Sequence, residues 1–328
     1  MPDSPDAATA SIECPPAVEH FRNGRFFNPG ISEHGFAMAL KWMANRKIGP
    51  WRRWIPSTAG PRPPAQVEGA TLRVTFVNHS TVLLQTEGLN ILTDPVWSFR
   101  VSPVSFAGPQ RHRDPGIRFG DLPEIHCLLI SHNHYDHFDV PTLKRLAAVH
   151  QPAVFCPLGL ATALRRLGFR EVQEFDWWQS QSWKQLRVHC VPAQHFAART
   201  PFDRNRTLWC GWVLETAHGN LYFAGDTGFG EFFGALRERF SELRLALLPI
   251  GACEPEWFMG PIHMTPEQAI EAGSILSAST AIGIHFGTFA LADDGEADPV
   301  ERLRAALQGR NDAEQFWLLQ EGEGRLIP

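Results

Sequence analysis

The apolar run Cys127-Leu128-Leu129-Ile130 leads directly into Ser131-His132-Asn133-His134-Tyr135-Asp136-His137. The run reads as a strand, Cys127–Ser131. A strand end in a sandwich opens onto the sheet edge, where ligands bind. His132 and His134 are two positions apart, so both can point to the same side of an extended chain. Asp136 and His137 fall where the chain turns and can address a second position nearby. Four potential ligands in six residues is a metal signature.

The same grammar recurs three times. His195 follows a strand at 186–191. Asp226 follows Leu221-Tyr222-Phe223-Ala224, and His285 ends Ala281-Ile282-Gly283-Ile284. A lone His at a strand end is more often a hydrogen-bonded structural residue. With the cluster, however, these make seven ligands, the number that two metals sharing one carboxylate require. Gly225 and Gly228 flank Asp226, and Gly287 follows His285. Glycine lets backbone approach closely at such points.

The strands that carry these residues come in two sets. Residues 72–77, 81–86, 90–93 and 127–131 read as strands, with a Glu87-Gly88 turn. A loop rich in Pro, Gly and Arg spans 95–123. A helix from Pro141, a short strand near Val154 and a helix at 158–167 follow. The second set has strands at 186–191, 209–215, 220–224, 245–249, 280–284 and 315–319, with helices at 229–239, 266–277 and 298–308. This order predicts an α/β fold with two sheets face to face between helical layers. The 328 residues allow two domains at ~100–200 residues each, or one large domain.

The start of the chain differs in texture. Residues 1–20 read as a disordered lead, and 21–66 as a basic helical extension with a helix at 32–48 and an extended linker, 60–66. The catalytic domain is expected from 67 to 328. Residues 21–62 hold eight basic side chains and one acid, a net +7 in a chain of −5. Trp42, Trp51 and Trp54 lie among these charges, and Trp favours the membrane interface. Peripheral membrane contact is expected there. The overall acidic balance argues against nucleic acid as a partner. Six cysteines without a CxxC pair read as free thiols in a reducing compartment. No secretory signal or membrane span is visible, so the expected location is cytoplasmic, with contact to the inner face of the membrane. Oligomeric state is not readable.

His132-x-His134-x-Asp136-His137, then His195, Asp226 and His285, follows the ligand order of the metallo-β-lactamase superfamily. Further stretches resemble N-acylphosphatidylethanolamine-hydrolysing phospholipase D and its bacterial relatives. They are Leu92-Thr93-Asp94-Pro95, Asp176-Trp177-Trp178, Phe223-Ala224-Gly225-Asp226-Thr227-Gly228, Trp257-Phe258-Met259 and Ile284-His285-Phe286-Gly287-Thr288-Phe289-Ala290-Leu291-Ala292. The resemblance implies a four-layer αββα sandwich. It also implies that His132, His134 and His195 hold one Zn2+, that Asp136, His137 and His285 hold a second, and that Asp226 bridges. Iron and manganese also suit His/Asp sites. The commonest true β-lactamases carry Cys at the position of Asp226, so β-lactam hydrolysis is not expected.

The implied activity is that of a phosphoric diester hydrolase acting on an N-acyl phospholipid. A metal-bridging hydroxide would attack phosphorus and release a phosphatidate-type product and an alcohol. Asp136 counts as a catalytic residue as well as a ligand. Asp94 is a candidate acceptor for a ligand His. His79, at a strand–strand junction, and His263, just before the helix capped by Thr265, are further catalytic candidates. A lactonase or thioesterase on the same site is the alternative reading. A non-enzymatic metal- or lipid-binding protein is the third.

Overall fold

The computed structural model describes residues 19–31, 34–241 and 243–328. The expected disordered lead, through residue 18, lies outside them, as does Cys14. In chain order the strands are β1 (Phe21–Arg22), β2 (Arg25–Phe26), β3 (Leu72–Asn78), β4 (Thr81–Thr86), β5 (Leu89–Thr93), β6 (Cys127–Leu129), β7 (Ala153–Pro157) and β8 (Val172–Phe175). They continue with β9 (Ser180–Trp183), β10 (Leu186–Val191), β11 (Gly211–Glu215), β12 (Asn220–Phe223), β13 (Leu243–Pro249), β14 (Thr280–Ile284), β15 (Phe316–Trp317) and β16 (Gly324–Ile327). The helices are α1 (Phe36–Ala44), α2 (Val140–Val149), α3 (Ala161–Arg166), α4 (Phe232–Arg239), α5 (Glu256–Met259), α6 (Pro266–Ile275) and α7 (Asp298–Leu307).

Two seven-stranded sheets run in the orders β16-β3-β4-β5-β6-β7-β8 and β15-β14-β13-β12-β11-β10-β9. Each joins an antiparallel part to a parallel part: β5 through β8 are parallel, as are β12 through β15. The parallel strands are covered on both faces, so they read as continuous apolar runs. In β13, Leu245 and Leu247 face the core between the sheets, whereas Ala246 and Leu248 face α4, α6 and α7. In β6, Cys127 and Leu129 face inward and Leu128 packs with Leu143, Leu146 and Leu164 of α2 and α3. Each such Leu contributes roughly 1.5–3 kcal/mol by leaving water. The result is the expected four-layer αββα sandwich.

The differences from expectation have local causes. Helix 158–167 shrinks to α3 because Gly159 has a φ of +97°, outside the helical region. Helix 229–239 begins only at Phe232, and helix 32–48 shortens to α1, whose N-cap is Gly35; residues 32 and 33 lie outside the described ones. Strands β8, β9 and β16 gave no sequence signal. β8 and β9 are short and polar, and β9 and β16 keep exposed positions; β8 and β9 lie at sheet edges, β16 at the other edge beside β3. The predicted capping box is present: Gln268 N donates to Thr265 Oγ1 (3.3 Å), and Thr265 N donates to Gln268 Oε1 (3.0 Å).

The N-terminal stretch is less helical than expected. Its described residues hold the short β1–β2 hairpin and one nine-residue helix, α1, joined by irregular chain laid against the sandwich. His20 lies 2.7 Å from Asp176 Oδ1 and stacks on Trp177. Arg46 pairs with Asp293 and donates to the Ala292 carbonyl. Residues 60–66 are pinned, because Pro64 and Ala65 carbonyls accept from Gln85 and Asn90 (both 2.8 Å). Among the described residues, no helix is long and apolar enough to cross a membrane. The five described cysteines are free and buried.

Candidate metal centre

Strand ends bring the predicted ligands to one edge of the sandwich. The turn after β6 carries His132, His134, Asp136 and His137. Asp226 follows β12, His285 follows β14, and His195 lies in the β10–β11 connection. Close approach of these ends depends on Gly225. Its φ is +63°, and a Cβ there would stand 2.6 Å from the Ser131 Cβ.

The donor atoms form two sets around one oxygen. His134 Nδ1 is 2.8 Å from His132 Nε2 and 3.2 Å from His195 Nε2. On the other side, Asp136 Oδ2 is 3.2 Å from His137 Nε2 and 3.4 Å from His285 Nε2. Asp226 Oδ2 lies between the sets, 3.1 Å from both His137 and His285 Nε2, 3.8 Å from His195 and 4.0 Å from His132. Two tetrahedral ligands of one zinc stand about 3.4 Å apart, given zinc–nitrogen distances of ~2.0–2.1 Å. The spacing and the donor types therefore fit a metal pair. Asp226 Oδ1 adds to the fit, since it is buried with no hydrogen-bond partner. Such groups are costly to bury unless something else satisfies them.

Neighbours fix which nitrogen of each ring faces the centre. His137 Nδ1 lies 2.6 Å from Asp94 Oδ2, which leaves Nε2 inward. His132 Nδ1 lies 2.8 Å from Ser131 Oγ, and that hydroxyl donates to Asp94 Oδ2. His195 Nδ1 donates to the Ile262 carbonyl at 2.9 Å. Outer partners of this kind orient a metal-binding imidazole and raise its basicity. Asp94, the candidate acceptor, meets His137 of one set directly and His132 of the other through Ser131.

Charge is arranged to match. Burial holds His132 and His195 well below the ordinary imidazole range and His134 at about 4, so their lone pairs are available. Burial alone would raise Asp136 and Asp226, but His137 opposite both of them, joined by His285, holds them well below the carboxylate range. Burial opposes charge on His285 as well, yet Asp226 and Asp136 lift it to about 9. In the metal-free cage, protons on His137 and His285 supply the positive charge that the carboxylates demand.

His79 and His263 both reach the centre. His79, at the β3–β4 junction, places Nε2 2.9 Å from Asp136 Oδ2, and its ring lies 4.1 Å from that of His285. Both residues have left-handed backbone, with φ of +50° and +60°. Non-glycine residues rarely adopt it, and it gathers at functional sites. The His263 ring stands 5.0 Å from His195 and 5.2 Å from His285, and its Nδ1 is buried without a partner. Burial holds both His79 and His263 at about 3, so they are neutral near pH 7.

The centre opens into a cavity of about 350 Å³. Beyond the donors its walls are largely apolar and include Trp42, Phe196, Phe258 and Leu291. Trp42 stacks on Phe258 with ring centroids 5.0 Å apart. Trp51 donates its N–H to the Asp294 carbonyl. Two of the three tryptophans expected to face a membrane are thus turned into the protein, and Trp54 is the exposed one. Sequence reasoning also missed Asn28, whose Nδ2 holds the His195 carbonyl at 2.7 Å across 167 residues. No local pattern marks such a residue.

The family described as "Beta-lactamase superfamily domain" matches residues 89–286. The chain is 37% identical to N-acyl-phosphatidylethanolamine-hydrolyzing phospholipase D 1 of Caenorhabditis elegans, over 74% of this chain and 71% of the worm protein. It is 34% identical to the mitochondrial N-acyl-phosphatidylethanolamine-hydrolyzing phospholipase D of Saccharomyces cerevisiae, over 70% of this chain and half of the yeast protein. A possible metal-dependent hydrolase from Veillonella parvula shares the fold at 16% identity, with a TM-score of 0.64 over 78% of this chain and 99% of that one. The chain belongs to the metallo-β-lactamase superfamily and is a metal-dependent hydrolase of it. Within that class it resembles the N-acylphosphatidylethanolamine-hydrolysing phospholipases D.

Proposed function

We propose that this chain is a dinuclear metal phosphodiesterase that hydrolyses a long-chain phosphodiester of the N-acyl phospholipid class. One observation carries the reading: a seven-donor cage lies at the floor of an apolar-walled cavity. The floor suits a phosphate, and the walls suit an acyl chain. The resemblance to the worm and yeast enzymes supports the same substrate class.

In this reading His132, His134 and His195 would hold one ion, Asp136, His137 and His285 would hold the other, and Asp226 would serve both. Zinc suits this donor set. When bound, such a pair supplies Lewis acidity and a water acidic enough to attack at neutral pH. Water adds to phosphorus, the bond from phosphorus to the alcohol oxygen breaks, and the alcohol leaves with a proton. The chain's own residues prepare that exchange. Asp94 keeps the His137 ring in one orientation, and His79 steadies Asp136. His263 is neutral, so it serves as a hydrogen-bond donor to a substrate oxygen rather than as a strong acid. The apolar walls lower the polarity around the reacting phosphate, which strengthens polar contacts inside.

Contact with a lipid surface fits the rim. Leu40, Met43 and Ile48, on and after α1, are exposed, as is Trp257 beside the same cavity. Lys41 and Lys47 lie among them, where each cation near an anionic surface adds ~1 kcal/mol. The contact assigned to 21–62 thus narrows to the outer side of α1 and its neighbours.

The test is a substrate panel run on metal-analysed protein. It comprises an N-acyl phospholipid, a plain phospholipid, an aryl phosphodiester, a lactone and a thioester. Fastest turnover of the N-acyl phospholipid supports the reading. Faster turnover of lactone or thioester than of every phosphodiester overturns it.

A further inference from the structure

Two separate segments build the cage around His134. The turn after β6 supplies His134, Asp136 and His137, and the β10–β11 connection supplies His195. Arg199, four residues past His195, reaches from the second segment to the first. Its Nη1 donates to the Asn133 carbonyl (2.8 Å) and the Phe138 carbonyl (2.9 Å). Those two carbonyls bracket the three donors of the turn. The guanidinium lies 4.0 Å from the Tyr135 ring centroid, a cation–π distance. The Tyr135 hydroxyl donates back to the Arg199 carbonyl at 2.7 Å. The segments are therefore tied in both directions. The Arg199 end is itself held, because Asp203 Oδ1 accepts from the backbone N–H of Arg199 (3.0 Å) and of Thr200 (2.7 Å). Arg199 borders a different cavity from the one the donors face, so it acts through the turn rather than on a substrate.

We infer that Arg199 is a positioning residue that fixes the His134–His137 turn against the segment carrying His195, and so sets how His195 meets the donors of that turn, His134 first. The inference rests on the metal-centre reading. Partners behind the ligands typically change metal affinity or activity 10–100-fold when removed. A planar guanidinium that bridges two carbonyls and stacks on a ring is not replaced in full by an ammonium.

The experiment compares wild type, Arg199→Ala, Arg199→Lys and Tyr135→Phe. Zn2+ affinity is measured by competition with a chromophoric chelator, and the absorption spectrum of the Co2+-loaded protein is recorded. Thermal unfolding of each metal-free protein serves as the fold control. Expected are a roughly 10–100-fold loss of affinity for at least one ion and an altered Co2+ spectrum in Arg199→Ala. Arg199→Lys should recover part of the loss, and Tyr135→Phe should shift affinity less in the same direction. Wild-type affinity and spectrum in a folded Arg199→Ala would overturn the inference while leaving the metal centre standing. Should that variant not fold, unchanged affinity in both Arg199→Lys and Tyr135→Phe would overturn it. A wild-type protein that takes up no ion would sink the metal centre, and this inference with it.

Discussion

The Asp94 carboxylate lies 2.6 Å from Nδ1 of His137, forty-three residues away, with neither side chain exposed. Through Ser131 the same carboxylate also steadies His132, so one acid orients a ring in each donor set. Replacing Asp94 with Ala leaves His137 Nδ1 and the Ser131 hydroxyl without their acceptor. Metal affinity or turnover should fall about 10–100-fold, with the fold retained by circular dichroism. Unchanged chelator resistance would show that the carboxylate is only a turn residue before Pro95.

The shared oxygen is the second point of test. Asp226→Ala and His134→Ala should abolish hydrolysis, and Asp226→Ala should do more damage to metal content because Asp226 faces both donor sets. Elemental analysis beside activity checks this. Full activity in Asp226→Ala would remove the bridging role.

Acidity offers a third. His285 in the metal-free cage sits at about 9, above its ordinary 6.5. A raised folded-state value means that its proton stabilises the metal-free protein below pH ~6.5, and that this contribution is lost as pH rises through about 9. Metal-free protein should therefore lose stability between these limits. Metal uptake should release protons in the same window, because ligands bind deprotonated. Calorimetric titration in buffers of different ionisation enthalpy counts them; uptake with no proton release at pH 7 would contradict the charge arrangement.

The N-terminal stretch yields a fourth. Asn28→Ala leaves the His195 carbonyl without its side-chain donor, and a buried acceptor left unpaired costs about 1–3 kcal/mol. Thermal or urea unfolding should report that loss. Its absence would mean that the stretch merely rests on the sandwich.

Lipid contact is tested on the outer residues. Met43→Asp and Ile48→Asp should lower co-sedimentation with anionic vesicles, since both side chains are about half exposed on and after α1, whose Trp42 lines the cavity. Binding that is indifferent to both changes and to anionic lipid would rule out contact through this rim.

Much of the fold and of the donor set was readable because both are written locally. Central strands such as β13 are buried on both faces, so they appear as apolar runs, and the donors follow such runs directly. Edge strands β8 and β9 carry no such run, and β16 is a four-residue strand that pairs with β3 from the far end of the chain. Asn28 and Arg199 escaped notice for a related reason: each acts on a backbone carbonyl far away in sequence, and carbonyls leave no mark on residue type. The tryptophans of the basic stretch face otherwise than expected because composition registers that Trp is present, not which way its ring turns. Trp42 packs on Phe258, and only the folded chain brings those two together.

The proposed phosphodiesterase chemistry depends on the seven side chains holding two ions at once. Metal content of purified wild-type protein, measured by mass spectrometry of the elements against protein concentration, tests that directly. Two tightly held ions per chain, falling to one or none in Asp226→Ala, is the predicted result. Fewer than two in carefully reloaded wild type would contradict the dinuclear centre and the phosphodiesterase chemistry built on it.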